Sequence, residues 1–99
     1  RAPMVVTVVA VTCDHPKVPV SEQLISAGCA AHAITQAAYA QGLGAMWRTG
    51  EMAYHPLVKQ GLGLSEGEEI IGYIYLGQPC RDREAPQLEV DAFVTHWGR

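Results

Sequence analysis

Residues 21–50, SEQLISAGCAAHAITQAAYAQGLGAMWRTG, decide the fold of this 99-residue chain. Pro19 keeps the chain before them extended. Ser21 is therefore the predicted N-cap of a helix, and Glu22 adds a negative charge close to the positive end of the helix dipole. Gly42 follows the last helical positions, where the backbone needs a left-handed residue. The stretch predicts one helix of about 20 residues, roughly 30 Å long.

This predicted helix has no charged face. From Gln23 to Trp47 the sequence contains no Asp, Glu, Lys or Arg, and small side chains occur on all sides of the helix axis. A helix without a charged stripe is normally buried. The other residues, about 70, are too few to cover it and also to build a sheet. We therefore expect part of its cover to come from a second subunit or from chain outside this sequence. Polar residues interrupt the apolar run too often for a transmembrane helix.

Composition and charge narrow the class of protein. A hydrophobic content of 48% and a net charge of −3 are typical of one small globular domain. The mild acidity gives no electrostatic basis for binding nucleic acid or an anionic membrane. The three cysteines form no even set and no secretory signal is visible, so we expect reduced thiols in a cytoplasmic protein. Because the chain begins with Arg1 and enters a strand almost at once, we expect it to be part of a longer polypeptide.

The rest of the chain consists of predicted strands and their connections. Apolar, β-branched runs predict three strands, at residues 4–12, 43–47 and 68–76. Pro56 suits the first position of a short helix that ends near Gln60. Strands separated by helices indicate a layered sheet with helices on both faces, and we expect the sheet to be incomplete in this chain. The apolar tail at 88–97 would need a surface to pack against.

Two motifs resemble segments of a known protein family. Residues 37–50, AAYAQGLGAMWRTG, and residues 73–79, YIYLGQP, have the order and spacing found in the C-terminal half of the flavin-dependent nitroreductases. The initial strand RAPMVVTVVA and the helix opening SEQLISAGCA agree with the same family. The chain is most similar to the small NAD(P)H nitroreductases, in which the corresponding turn reads Trp-Arg-Ser or Trp-Arg-Thr. The resemblance covers nearly the whole chain up to Pro79.

The resemblance implies an α+β fold with three layers, α/β/α, around a central and mainly antiparallel sheet. Residues 1–99 would be the C-terminal part of a nitroreductase-like domain whose N-terminal part is absent from this sequence. It also implies a homodimer with FMN at the subunit interface. Such an enzyme transfers hydride from NAD(P)H through FMN to a small aromatic acceptor, a nitro compound or a quinone. Because the flavin carries this chemistry, no catalytic protein side chain is expected.

The same resemblance assigns residues to the cofactors. Trp47, Arg48 and Thr49 are expected to contact FMN. The segment expected to contact NAD(P)H consists of Ala37, Ala38, Tyr39, Ala40, Gln41 and Gly42. The Arg-Arg-Ser type motif that grips the FMN phosphate in the family has no counterpart here. Arg81 or Arg83 lies where related enzymes often place a basic residue for that phosphate, although a solvated surface position is the preferred interpretation for both.

Other interpretations of these residues stay open. Without the resemblance, Arg48 is better explained as a cap of its own turn, and Trp47 as a core residue. The residue types of a zinc site occur at Cys13, His15, Cys29 and His32. Their spacing is atypical, so we expect no metal. Cys29 has no cation near it in the sequence that would activate its thiol.

Two functional classes follow from the sequence. The first is an FMN-dependent NAD(P)H oxidoreductase of nitroreductase type. The second is a non-catalytic domain or fragment that keeps the flavin fold and dimerises. A yellow protein that NAD(P)H bleaches would indicate the first class, and a colourless protein that self-associates would indicate the second.

Overall fold

The structure, a computed structural model, describes residues 2–98 of the chain. Within this range the chain forms three β-strands and two α-helices, which follow one another in the predicted order. Their bounds are β1 Met4–Val11, α1 Val20–Ala40, β2 Gly44–Arg48, α2 Pro56–Gly61 and β3 Glu68–Gly77. Two short 3₁₀ helices are Glu51–Ala53, between β2 and α2, and Val90–Ala92 in the tail. None of the described helices is long and apolar enough to cross a membrane.

The described sheet is antiparallel, with the strand order β1-β3-β2. β3 is central because it pairs with both other strands, and its Ile70 and Ile74 are buried. α1 packs against all three strands, while the 3₁₀ helix Glu51–Ala53 contacts β3. The α+β class and the mainly antiparallel sheet expected from the resemblance are confirmed.

β1 and β3 do not pair residue for residue. Val8 pairs with Gly72, but the next residue, Val9, pairs with Ile70, so Ile71 has no partner in β1. Such a bulge leaves one residue outside the ladder. On the other side of β3, pairing with β2 ends at Tyr73. Ile71 therefore has no strand partner on either side, and its carbonyl is available to a side-chain donor.

The first turn of α1 differs from the prediction. The helix begins at Val20 with Pro19 as its N-cap, so the prediction of Ser21 as N-cap is wrong. No side chain caps this end, and the Pro19 carbonyl accepts the first helical hydrogen bonds instead. The physical reason lies in Gln23, whose side-chain amide makes three hydrogen bonds of 2.9 to 3.0 Å to the backbone of residues 13–18. These bonds fix the direction of the chain that enters the helix.

The last turn of α1 follows the prediction. Gly42 has a φ of +79°, in the left-handed region that glycine adopts without strain. Its amide donates to the Tyr39 carbonyl at 3.0 Å, and the amide of Leu43 donates to the Ala38 carbonyl at 2.9 Å. The two bonds form a Schellman motif, which turns the chain directly into β2.

The sheet covers only one side of α1. Ala31 and Ala38 are buried on the covered side. The exposed side chains of the helix after its first turn are Ile25, Ser26, Cys29, Ala30, His32, Ala33, Gln36, Ala37, Tyr39 and Ala40. We call this surface the outer face of α1. It contains no Asp, Glu, Lys or Arg, so the cover that the sequence predicts for this helix is not supplied by residues 2–98.

Other apolar segments also lack cover. In β1, which the sequence predicts to be covered on both faces, Met4 and Val5 are exposed. In the tail, the side chains of Phe93 and Trp97 are 74% and 101% exposed, so the packing surface that the tail would need is not supplied by residues 2–98. The Cα radius of gyration is 17.0 Å, against about 13 Å for a compact chain of this length. The chain is therefore more extended than a closed domain.

Candidate functional site

The end of β2 carries the three residues expected to contact FMN. Opposite residues of an antiparallel pair share a face, and here Trp47 pairs with Ile74 while Arg48 pairs with Tyr73. Trp47 points toward α1, where its ring approaches Gly28. Arg48, as the next residue of the strand, points to the opposite face. The two side chains therefore lie on different faces of the sheet.

The indole of Trp47 lies between β3 and α1. Its Nε1 donates to the Ile71 carbonyl at 3.2 Å, and this bond satisfies a carbonyl that has no strand partner. The ring also lies over Gly72 and approaches Gly28, where an added Cβ would be 3.7 Å from Cη2. Trp47 is 40% exposed. The ring packs between β3 and α1, but at this exposure Trp47 is not the core residue of the alternative interpretation.

Arg48 lies on a concave surface on the face away from α1. The cavity has a volume of about 480 Å³. Its lining includes Val5, Arg48, Thr49, Met52, Tyr73 and Tyr75. Within residues 2–98 the Arg48 side chain makes no hydrogen bond, and the only salt bridge joins Lys59 to Glu69. The structure therefore gives no support to Arg48 as a cap of its own turn, and its guanidinium is free to bind an acceptor.

Thr49 and Gly50 connect β2 to the 3₁₀ helix. Gly50 has a φ of +72°, which a residue with a side chain rarely adopts. Its carbonyl accepts a hydrogen bond from the Ala53 amide at 3.1 Å. In the described part of the chain, the amides of Gly50 and Glu51 donate no hydrogen bond. The turn thus presents two free amide donors close to Arg48 in the sequence.

Gly72 and Tyr73 shape this end of β2, although neither is among the residues predicted from the sequence to form the site. The Tyr73 hydroxyl donates to the Met52 carbonyl at 2.8 Å, which ties the 3₁₀ helix to β3. Gly72 provides the space that the Trp47 indole occupies. A signal for Gly72 was present, because a glycine inside an apolar strand indicates the close approach of another group. Nothing in the sequence identifies that group.

The segment expected to contact NAD(P)H lies at the other end of β2. Ala38 is buried against the sheet, so its side chain cannot reach a ligand, whereas Tyr39 is 81% exposed. A cavity of about 530 Å³ opens beside it. Its lining includes Thr35, Tyr39, Gly42, Arg81, Asp82 and Arg83. Both arginines are exposed, as the preferred interpretation had them, and neither is in a salt bridge within the described residues.

The length of β2 separates the two predicted binding segments. Gly44 to Arg48 spans about 13 Å at roughly 3.3 Å per residue. The structure brings Tyr39 and Gly42 together with the arginines of the tail, and it brings Arg48 together with Thr49. It does not bring these two groups together within the chain.

The residue types of a zinc site do not converge. Within residues 2–98, no group of three or more His, Cys, Asp or Glu side chains could hold a metal ion. His15 belongs to its own loop, since its Nδ1 accepts hydrogen bonds from the amides of Lys17 and Val18 at 3.0 and 3.1 Å. The free and exposed thiols are Cys13, Cys29 and Cys80.

Sequence comparisons identify relatives of the chain. The family model described as "Nitroreductase family" matches residues 1–78. "Putative NAD(P)H nitroreductase YdjA" of Escherichia coli is 47% identical over 79 residues, which cover 80% of this chain and 43% of that protein. "Putative NAD(P)H nitroreductase" of Haemophilus influenzae is 34% identical over 99 residues, with 97% of this chain and 54% of that protein covered. The chain spans about half the length of the curated relatives it matches.

A solved structure is also similar to this fold. A nitroreductase-like family protein from Bacillus cereus superimposes with a TM-score of 0.66, over 85% of this chain and 46% of that chain. Its sequence identity to this chain is 23%. The likeness therefore concerns the fold, and it agrees with the α+β arrangement described above.

Proposed function

This chain belongs to the nitroreductase family, and from that premise we propose that it forms part of an FMN-dependent oxidoreductase. In the proposed reaction, hydride passes from NAD(P)H through FMN to a small aromatic acceptor, a nitro compound or a quinone. One observation carries the proposal. At the end of β2, the unpaired guanidinium of Arg48 is followed by a turn in which the amides of Gly50 and Glu51 are free.

The groups at this turn suit the polar edge of a flavin. That edge has carbonyl oxygens and a ring nitrogen that accept hydrogen bonds, and the amides of Gly50 and Glu51 are suitable donors. The Arg48 guanidinium would stabilise negative charge on the ring, and the Thr49 hydroxyl adds a further donor. When bound, FMN supplies the hydride-transfer chemistry, whereas the chain binds the ring and sets its orientation.

We propose that segment 37–42 contributes to NAD(P)H binding through its exposed members, Tyr39 and Gly42. Arg81 and Arg83 line the same cavity and supply positive charge for the phosphates. Hydride transfer requires the nicotinamide ring to touch the flavin, while about 13 Å of β2 separates this cavity from Thr49. Within one chain, segment 37–42 would therefore hold a part of the dinucleotide remote from the nicotinamide.

We also propose that the protein is a cytoplasmic homodimer with FMN at the subunit interface. The outer face of α1 supports this assembly, because its side chains are exposed and carry no Asp, Glu, Lys or Arg. Burying such a surface removes no full charge from water. The three free thiols suit a reducing compartment.

An absorption spectrum of the purified protein, with and without NADPH, tests the proposed function. We expect a yellow protein, or one that becomes yellow with added FMN, whose flavin bands bleach under anaerobic NADPH. A nitroaromatic acceptor should then restore the bands. A colourless protein that binds no FMN and still self-associates would contradict the enzyme and support the non-catalytic dimerisation domain.

A further inference from the structure

A side chain holds the end of β2 beyond the last ladder pair. The ladder between β2 and β3 stops where Arg48 lies opposite Tyr73. From the preceding position, Trp47 extends its indole across β3 and donates to the Ile71 carbonyl at 3.2 Å. Ile71 has no register partner in β1 or in β2. The indole therefore fastens the end of an edge strand at the point where the ladder cannot.

Gly72 provides the space for this indole. A Cβ on Gly72 would overlap the indole Nε1 and lie 2.5 Å from Cδ1. The backbone of Gly72 is not among the left-handed glycines of the chain. The glycine is therefore required by the indole and not by its own φ angle. Trp47 and Gly72 form one unit, which we call the Trp47–Gly72 lock.

We propose that Trp47 is a positioning residue for FMN binding, and that Gly72 makes its position possible. The inference rests on the proposed function, and it gives the indole a role different from the flavin contact that the resemblance implies. The indole lies on the α1 side of the sheet, whereas Arg48 faces the cavity on the other side. With the indole seated on Gly72, the end of β2 cannot rotate, and Arg48 and the Thr49–Gly50 turn keep their direction toward the ligand.

A double-mutant cycle tests this proposal. The chain has two tryptophans, so all four proteins carry Trp97→Phe, which leaves Trp47 as the tryptophan whose fluorescence is observed. On this background the four proteins are the parent, called wild type below, Trp47→Val, Gly72→Ala and the double variant. The dissociation constant for FMN is measured by titration of flavin fluorescence. Each single variant should weaken binding about tenfold, because the end of β2 loses its fastening in both.

The double variant distinguishes the lock from two independent contacts. Valine leaves room for the methyl group of Ala at position 72, so the double variant should lose about tenfold in affinity, as Trp47→Val does alone. A loss near the product of the two single effects, about a hundredfold, would overturn the proposal. Some strain persists in the double variant, since the new Cβ would lie 3.1 Å from the Arg48 carbonyl.

Two further measurements separate positioning from direct contact. In Trp47→Phe, the bands of bound FMN should keep their wild-type wavelengths, because the indole does not touch the ring in the proposal. A shifted band together with an unchanged FMN affinity would show contact without positioning and overturn it. Gly28→Ala is the matched control, since its methyl group meets the same indole at an ordinary distance of 3.7 Å. Its FMN affinity should stay within about twofold of wild type.

The design also separates failure of the lock from failure of the proposed function. If wild type binds no FMN, the proposed function fails. The double-mutant cycle is then measured with the free energy of unfolding of the four proteins. There, the effects of Trp47→Val and Gly72→Ala should again be less than additive. Additive losses of stability would overturn the lock as well. The Gly72→Ala single variant keeps Trp47, and its fluorescence should be red-shifted relative to wild type because the indole is expelled into water.

Discussion

Single residues at the end of β2 differ in how firmly the structure holds them. Trp47 and Tyr73 donate hydrogen bonds to backbone carbonyls 24 and 21 residues away, and these bonds fix the two sides of the Thr49–Gly50 turn. In the described chain the Arg48 side chain makes no such bond. An exposed arginine is common on a protein surface. Arg48 differs from the common case because the turn after it supplies free amide donors.

Replacement of Arg48 tests its proposed contribution to FMN binding. Arg48→Ala should weaken FMN binding by about 10- to 100-fold, the loss expected for hydrogen bonds of about 1.5–3 kcal/mol from a charged donor. Arg48→Lys should keep part of the affinity, because it keeps the charge but loses the planar donor geometry. Fluorescence titration of FMN measures both. Lys17→Ala removes an exposed cation from the loop before α1 and should leave the affinity unchanged; equal losses in both alanine variants would refute a specific role for Arg48.

Glu68 makes the stability depend on pH. Its carboxylate accepts hydrogen bonds from the Ser65 amide at 2.7 Å and the Ser65 hydroxyl at 2.8 Å, and these bonds, the amide's first, lower the pKa of Glu68 below its ordinary value of 4.5. A lowered folded-state pKa stabilises the protein above the unfolded pKa, and the effect is lost as the pH falls through the folded value. The urea midpoint of wild type should exceed that of Glu68→Gln at neutral pH. A difference that persists unchanged in acid, well below pH 4.5, would contradict this assignment.

At the scale of elements, local interactions were predictable and distant ones were not. Gly42 and Pro56 act within their own turns, so the end of α1 and the start of α2 follow from the neighbouring sequence. The start of α1 depends on Gln23, which reaches back to residues 13–18. A capping rule that considers only the hydroxyl of Ser21 cannot anticipate that bridge.

The same distinction applies to the candidate site. The predicted strand at 43–47 differs by only one residue at each end from β2, Gly44–Arg48, because the flanking glycines and the apolar pattern that predict it are local. The opposite orientation of Trp47 and Arg48 follows from strand alternation. The contact of the Trp47 indole with Gly72, however, depends on the register between β2 and β3. A single sequence does not fix that register, since two strands separated by a connection can pair in several ways.

Gly28→Ala should stabilise α1. Gly28 lies inside the helix with ordinary helical backbone angles, and an added methyl group would have van der Waals contact with the Trp47 ring at 3.7 Å. Alanine is favoured over glycine in a helix interior by about 1 kcal/mol. Chemical denaturation should show a higher midpoint with an unchanged slope. A lower midpoint would mean that the gap between α1 and β2 is too narrow for the methyl group.

Tyr73→Phe should loosen the 3₁₀ helix from β3. The variant removes the hydrogen bond to the Met52 carbonyl, at 2.8 Å in the native protein, and should cost about 1 kcal/mol of unfolding free energy. Tyr75→Phe provides a matched control, because Tyr75 follows on the same face of β3 and its hydroxyl has no partner within residues 2–98. Equal stability of the two variants in urea denaturation would rule out a structural role for the Tyr73 hydroxyl.

At the scale of the whole molecule, exposed apolar side chains occur on α1, on the strands, on residues 52–62 and on the tail. The chain spans about half the length of the curated relatives it matches, and within residues 2–98 the sheet covers α1 on one side only. The sequence predicts, from its uncharged helix, that part of the cover of α1 comes from elsewhere. It could not identify the covering surface, because a pattern of small residues specifies close packing without specifying a partner.

A charge on the outer face of α1 tests the proposed homodimer. Ala33→Glu should convert the dimer to monomers in light scattering, because the carboxylate would lose its hydration in the interface. The fold should survive, since Ala33 is exposed within the chain. As a control, Gln60→Glu places the same charge at an exposed position of α2, and its mass in light scattering should remain that of the dimer. A dimer that persists in Ala33→Glu with full strength would exclude this face from the subunit contact.

The strand order β1-β3-β2 has a consequence for biosynthesis. Met4 pairs with Leu76 and Val11 with Glu68, so β1 is translated long before the strand that completes its ladder. Closing so large a loop costs entropy before pairing compensates for it. We therefore expect β1 to remain unpaired with β3 until residues 68–77 have been synthesised, and an unpaired β-branched strand of this kind is prone to aggregation.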